Sequence, residues 1–528
     1  MLLYCHEHSE LSPGARYTIE FMLDSLGFFY QWTTRAHEGP ALTYAAAAPS
    51  DKALYLPARF RLEDLHKNQL SWHSIEILGK SIPVLGLKQT GQDADRVPFD
   101  IVATIYFHLA RVEECNYRHP DDVDRNVAKM HLYNVDRFRI AVVDYLLAWF
   151  AQFVEQYFER QKIFFIRKAP YPGNKKYAIA ITHDVDFVTA INPIKHKLLH
   201  WMSGLGLKSK ADLRRLEEQN QQVWPFNRLL DFYGRKGWRA TFNFIPRLTE
   251  GLHMRYYLGS KRMKELLRQL VQKGHEVALH PSRYAFEHKG RYMREKKKLE
   301  KLSGVNVTGM RHHYLRTLFP EIWKIADKTG LSYDSTMALR RSTGFRAGTS
   351  YPFRGFDHLT QSPLKCVEFP TLFFEESLPE MGQNHTAAEA EIKQLKEEVK
   401  KLGGIYTVLW HTNLIYSVEH FGRIWNFITD LIDDKSAFLA PLNEHLDWLH
   451  FRNGVNMEMA KDNQNGFEAV FTNPGRQYSL ALIMPKAVKR IWINGEEQKL
   501  QNGTVEIFAG RDQQKVIVKT EVVDDPTD

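Results

Sequence analysis

Between Tyr177 and His411 the chain repeats one pattern: a short apolar run, then an abrupt switch to acidic, basic or imidazole side chains. Tyr177-Ala178-Ile179-Ala180-Ile181 leads into Thr182-His183-Asp184-Val185-Asp186, and Arg239-Ala240-Thr241-Phe242 opens the run from Ala240 to Ile245. Glu276 to Leu279, preceded by Gly274-His275, leads into His280-Pro281-Ser282; Val305 to Met310 leads into Arg311-His312-His313-Tyr314. Ile405 to Leu409 leads into Trp410-His411. The runs have the length of buried strands, and helical spacing fills the gaps between them. Met263, Leu266, Leu267, Leu270 and Val271, for example, follow a Ser260 cap and precede a Gly274 stop. Such alternation predicts an α/β fold with parallel strands and helices outside them.

Asp184 and Asp186 lie two apart at the end of a strand, so both can project toward one point. An Asp-x-Asp joined by distant histidines is what a mononuclear metal hydrolase requires. One carboxylate binds the ion, and another stays free to take a proton from water. Nitrogen and oxygen donors of this kind suit a divalent metal, with zinc the expected ion. An exposed turn or a helix cap is the plain alternative, and the apolar strand just before the pair disfavours it.

In order and character these islands resemble the polysaccharide deacetylases of carbohydrate esterase family four, over residues 176 to 435. The resemblance implies a distorted (β/α) barrel. It also implies hydrolysis of acetyl groups from an acetylated glycan with a bound divalent metal. Each island follows a predicted strand, where such barrels gather their chemistry. By resemblance Asp184 is the general base. Asp186 is a metal ligand, because Val185 holds the usual ligand position. His280 matches the first histidine of the family's His-Ser/Thr-x-x-His motif, but Tyr284 stands where the second should be. His313 is the preferred third ligand, with His288, Ser282 or a water as alternatives. Arg311 is expected to pair with Asp184, and the Tyr314 backbone amide to hold the oxyanion. His411 is expected to be the general acid, with Asp334 or Glu368 as its acidic partner. Trp410 either stacks on a sugar or fills core. The missing histidine motivates one alternative, a catalytically degenerate barrel that binds glycan or serves assembly.

A chain of 528 residues implies several domains. Residues 1–168 form an expected α/β domain of unassigned role, closed by the turn-rich Pro170-Tyr171-Pro172-Gly173-Asn174. The barrel is expected over 176–448. A small all-β sandwich follows over 455–523, with strands at 466–471, 478–484, 488–493, 505–508 and 515–519, and Asn494-Gly495 as a hairpin turn. Cys5, Cys115 and Cys366 are too few and too scattered for a disulfide framework or a cysteine zinc site. Cys5-His6-Glu7-His8 has no further ligands nearby and reads as chance. The apolar run from Ile140 to Phe153 is broken by Asp144 and reads as a buried helix, not a membrane span. No signal-peptide pattern opens the chain, so a cytoplasmic location is expected. A net charge of +9 favours anionic partners, either an anionic glycan or a membrane surface. The basic residues cluster in Lys195 to Arg215 and in Lys289 to Lys301, and the second cluster reads as a solvated helix face. No nucleic-acid partner is expected, since no aromatic platform or nucleic-acid motif accompanies them.

Overall fold

The computed structural model describes residues 3–34, 41–46, 53–67, 70–87, 97–116, 138–189 except 162 and 164, single residues within 201–222, 223–247, 256–340 except 287 and 289, 342–378, 385–463, 466–475, 478–508 and 515–522. Most of the basic stretch Lys195 to Arg215 and the Asp524-Asp525-Pro526 tail lie outside them.

The N-terminal region opens with four parallel strands, β1 (Leu3–His6), β2 (Tyr30–Thr33), β3 (Ala41–Ala45) and β4 (Ala53–Pro57), in the order β2-β1-β3-β4. A hairpin of β5 (Trp72–Ile77) and β6 (Lys80–Leu85) follows. Helix Pro13–Leu26 starts where Ser12 Oγ accepts the Ala15 amide at 3.2 Å, and it stops at Gly27, whose φ of 78° suits glycine. The run around Ile140 to Phe153 is indeed a buried helix, Val142–Arg160. Its Asp144 accepts hydrogen bonds from the amide and hydroxyl of Ser350 at 2.9 and 2.6 Å. No described helix is long and apolar enough to cross a membrane.

After β7 (Arg167–Lys168) comes the central sheet: β8 (Tyr177–Val185), β9 (Thr241–Phe244), β10 (Glu276–Leu279), β11 (Gly309–Met310), β12 (Tyr333–Asp334), β13 (Phe353–Asp357), β14 (Ser362–Glu368), β15 (Ile405–Leu409) and β16 (Ala437–Leu439). Its order is β13-β14-β12-β11-β10-β9-β8-β15, with β16 also pairing β8, and only the β13–β14 pair is antiparallel. The chain beyond β14 then bridges back onto β15, with Phe373 pairing Val408 in parallel. The sheet is thereby curled into an irregular barrel, as the family resemblance implies, with the parallel strands that the strand–helix alternation predicts. Every residue of β8 is buried, which explains its continuous apolar run.

Two departures from the sequence reading have clear causes. The strand expected from Val305 shrinks to Gly309–Met310, because the preceding helix runs to Ser303 and the residues between serve as its connection to the sheet; the Tyr333 ring packs on the strand itself, where a Cβ on Gly309 would lie 1.8 Å from it. The strands β12 and β16 are only two and three residues long, too short for any periodicity to register. Beneath the site, Glu276 closes the barrel floor. Its carboxylate accepts hydrogen bonds from Thr241 Oγ1 (2.7 Å), Tyr333 OH (2.9 Å) and the Asn443 amide (3.0 Å).

The C-terminal strands are β17 (Asn456–Asn463), β18 (Gly466–Thr472), β19 (Leu480–Ile483), β20 (Val488–Ile493), β21 (Glu496–Gln498), β22 (Thr504–Ile507) and β23 (Lys515–Val522). They form the sheets β17-β18-β23-β20-β21 and β22-β19-β7. Asn494 and Gly495 have φ of 51° and 87°, as a tight turn between β20 and β21 demands.

Candidate active site

Asp184, the last residue but one of β8, stands opposite Asn243 of β9, and Asp186 lies just beyond the strand. Among the described residues, one group of His, Cys, Asp and Glu side chains has ligand atoms close enough to share an ion. Asp186, His280 and His313 offer one atom each, all within 4.8 Å of one another. His280 Nε2 lies 3.3 Å from Asp186 Oδ1, and His313 Nε2 lies 3.4 Å from Asp186 Oδ2. All three residues are buried.

The donor chemistry fits a metal. His280 Nδ1 bonds the Arg311 carbonyl, which fixes its proton on that nitrogen and turns the Nε2 lone pair toward Asp186. His280 Nε2 and Asp186 Oδ1 are both buried without a hydrogen-bond partner. Buried polar atoms are almost always satisfied, so two orphans facing one point mark a place for a cation. Burial alone would raise the Asp186 carboxyl, but His313, His280 and His411 hold it well below the usual carboxylate range.

The second carboxylate sits in a different environment. Asp184 Oδ1 accepts from Arg311 Nη1 at 3.1 Å and from Asn243 Nδ2 at 2.8 Å. The Arg311 side chain is fully buried and held on all sides: Nε donates to the Ser335 carbonyl (3.0 Å), Nη1 to Thr182 Oγ1 (2.7 Å), and Nη2 to Thr371 Oγ1 (2.9 Å). Burial opposes ionisation of Asp184, but His280, Arg311 and His411 outweigh it and lower its pKa. The Asp184 Oδ2 atom faces His280 Nε2 at 3.7 Å.

His411 Nε2 lies 3.4 Å from Asp186 Oδ2, the oxygen that His313 also approaches. The acidic partner of His411 is neither Asp334 nor Glu368. It is Glu375, whose carboxylate accepts a short bond from His411 Nδ1 and a second from the His411 amide at 3.3 Å. Burial lowers the His411 pKa, but Glu375 and Asp186 together raise it well above the ordinary imidazole value. Asp334 and Glu368 instead face each other across β12 and β14, bonded to Thr336 and to Trp323 Nε1 and the Met337 amide. Burial raises both carboxyls.

The remaining predicted residues divide cleanly. Ser282 is turned away, its hydroxyl donating to Glu295 at 2.5 Å, and His288 is exposed on the surface. His312 points to the other side, buried against Phe286 and Tyr292, with Nδ1 bonded to the His313 carbonyl at 2.8 Å. Trp410 is fully buried against Trp425 and fills core. Tyr314 stacks on His313 at 4.1 Å and adopts φ 62°, ψ 17°, a left-handed conformation rare for an aromatic residue. Asn243 and Glu375 were missed by sequence reasoning. Asn243 could have been found from Thr241-Phe242-Asn243-Phe244, where polar side chains alternate with buried aromatics and so face the barrel interior. Glu375 carried no such signal, because no regular strand precedes it.

A family of unknown function, DUF7033, matches residues 1–159. Comparison with curated proteins gives no match. Among solved structures, the chain is similar to a Mycobacterium smegmatis protein assigned as a polysaccharide deacetylase, at 17% identity and a TM-score of 0.37, over 53% of this chain and 92% of that one. It is similar also to an allantoinase, PuuE, at 14% identity and a TM-score of 0.38, over 54% and 93%. A carbohydrate esterase family four pseudoenzyme from Bacillus anthracis is similar at 12% identity and a TM-score of 0.29, over 53% and 66%.

Proposed function

We propose that the chain is a metal-dependent hydrolase that removes acetyl groups from an acetylated sugar or glycan. The observation that carries this reading is the division of labour around Asp186. A three-donor group meets there, with a second ionised carboxylate and a carboxylate-backed imidazole beside it. Simple binding has no need of a base, a fixed guanidinium and an acid converging on one point.

Asp186, His280 and His313 would hold the ion, with zinc the expected choice for two imidazoles and a carboxylate. When bound, such an ion supplies Lewis-acid polarisation of a water and of the acetyl oxygen. Asp184 accepts the proton of the attacking water. The Arg311 guanidinium keeps Asp184 ionised and aimed, so the base is ready without reorganisation. The Tyr314 backbone amide is assigned to the developing oxyanion. His411, held protonated by Glu375, hands a proton to the departing amine or alkoxide.

Acetate release from a panel of N- and O-acetylated sugars, before and after metal removal, tests the reading. Release should stop with chelation and return with zinc or cobalt, and His280→Ala should lose both metal and activity. A protein that takes up no divalent metal and releases acetate from nothing in the panel would sink the proposal and leave the glycan-binding alternative.

A further inference from the structure

Asn243 is only half satisfied. It lies in β9 between Asp184 of β8 and Ala278 of β10 in the parallel register, and it is fully buried. Side chains two apart on a strand share a face. Thr241 turns its hydroxyl to Glu276 within the barrel, so Asn243 faces the barrel interior as well. The orientation of its amide follows from chemistry. An ionised carboxylate only accepts, so the atom 2.8 Å from Asp184 Oδ1 is the NH2 nitrogen. The other end of the amide, Asn243 Oδ1, is buried with no hydrogen-bond donor.

Both donors to Asp184 crowd one of its oxygens. Arg311 Nη1 and Asn243 Nδ2 reach Oδ1 at 3.1 and 2.8 Å. Oδ2 takes no hydrogen bond among the described residues and faces His280 Nε2 at 3.7 Å. Two donors on Oδ1 draw negative charge to that atom and keep the carboxylate from turning. Oδ2 is thus the oxygen left to take a proton, and it does so beside a metal-ligand candidate. The amide is planar and compact, its oxygen about 2.3 Å from its nitrogen, so Asn243 Oδ1 stands within roughly 5 Å of the Asp184 carboxylate. One water can join two acceptors at such a separation, giving one hydrogen to each. An unanswered buried carbonyl is costly, and the attacking water is the molecule with a hydrogen to offer beside the base.

We propose that Asn243 aligns the attacking water: Nδ2 reserves Oδ2 of Asp184 for the proton that moves, and Oδ1 accepts the hydrogen that stays. One O–H bond of the water breaks, its proton passing to Asp184 Oδ2 as the oxygen bonds the acetyl carbon. The other O–H bond survives, held by Asn243, and its hydrogen leaves with the acetic acid. His411 gives its proton to the nitrogen or oxygen that departs when its bond to the acetyl carbon breaks. The reaction rests on the deacetylase reading; the water site does not.

Methanol tests the second hydrogen, because it has one O–H hydrogen for Asp184 and none for Asn243. The full-length protein and its Asn243→Leu and Asn243→Ala variants are given the best acetylated sugar of the panel in aqueous methanol, and acetate and methyl acetate are counted. The ratio of acetate to methyl acetate should fall by roughly threefold or more in both variants, the contribution of one hydrogen bond. The kcat in water should fall by roughly ten- to 100-fold with KM little changed, as misalignment of a reactant implies. A ratio that moves in neither variant overturns the proposal and leaves the deacetylase reading intact. A ratio that moves only in Asn243→Ala reports added space and overturns it too. Crystals of the wild type grown with zinc supply a measurement that needs no variant to fold. A water within about 3.2 Å of both Asn243 Oδ1 and Asp184 Oδ2 is expected there. No water within reach of Asn243 Oδ1 overturns the proposal whatever the activity. If nothing in the panel is deacetylated but that water is present, the deacetylase reading fails and the water site stands.

Discussion

Replacing Arg311 with methionine isolates one interaction, because the other partners of the guanidinium have somewhere else to turn. Thr182 Oγ1 still donates to the Val408 carbonyl at 2.8 Å, and the Ser335 carbonyl still accepts from Thr371 Oγ1 at 3.0 Å. Asp184 is the group left stranded, buried and supported only by Asn243 Nδ2 and the nearby imidazoles. At 3.1 Å and an effective dielectric of about 20, the lost Coulomb attraction is roughly 5 kcal/mol. Breaking one side of a buried pair costs about 3–5 kcal/mol by general experience. The two figures agree, and in a barrel of this size they correspond to a fall in Tm of roughly 6–20 °C.

Scanning calorimetry in the presence of a chelator, at several pH values, tests this directly. The folded-state pKa of Asp184 is depressed, so its stabilising contribution is present above the unfolded value of about 3.9 and is lost as pH falls through the folded one. The deficit of Arg311→Met should therefore be largest near neutrality and shrink toward acid, where the stranded carboxyl takes up a proton. Adding Asp184→Asn should restore most of the loss, since the two changes are coupled. A deficit under about 1 kcal/mol at pH 7, or a double variant as unstable as the sum of the singles, would refute the idea that this pair is the electrostatic keystone of the site.

Asp184→Asn alone should cut turnover by roughly 100-fold or more while elemental analysis finds metal occupancy nearly unchanged; joint loss of metal would mean the two carboxylates have exchanged roles. His313→Ala should weaken metal affinity strongly, whereas His312→Ala and His288→Ala should be mild, as measured by competition with a chromogenic chelator. Glu375→Gln removes the chief support of the His411 imidazolium, so the alkaline limb of the kcat–pH profile should move to lower pH; an unmoved limb would take Glu375 out of the proton path. Glu276, pushed up to about 7 by burial despite three hydrogen bonds, holds a proton in the folded state that the unfolded chain has already released. Wild-type stability should thus decline by about 3 kcal/mol between pH 4.5 and 7 through this group, and calorimetry of Glu276→Gln should show that slope removed.

The strands legible in the sequence are those buried on both faces. The β8, β10 and β15 segments are fully buried and mostly apolar, and a side chain that follows such a run is delivered to the barrel rim whatever its neighbours do. That is why Asp186, His280, His313 and His411 could be singled out together although hundreds of residues separate the first from the last. Glu375 escaped because no regular strand precedes it. Its place depends on the irregular chain after β14 folding back onto β15 at Phe373, a long-range event without local periodicity. Asp334 was misleading for a related reason. Tyr333 reaches inward to Glu276, so alternation sends Asp334 out toward Trp323 and Glu368, away from His411.

The stretch around Arg167 to Ala169 has a consequence for how the chain is made. Arg167 bridges Phe28, the Lys168 amide donates to the Gly27 carbonyl, and the Ala169 amide donates to the Ala481 carbonyl. Arg452 adds bonds to the carbonyls of Ala169 and Ser25. Residues from near the start, the middle and near the end are thus sewn along one short seam, where β7 is an edge of a sheet whose other members are β19 and β22. During synthesis that edge waits, unpaired, while more than three hundred further residues are added. An open strand edge is a template for any passing chain. A segment made more than three hundred residues later is therefore what covers the β7 edge.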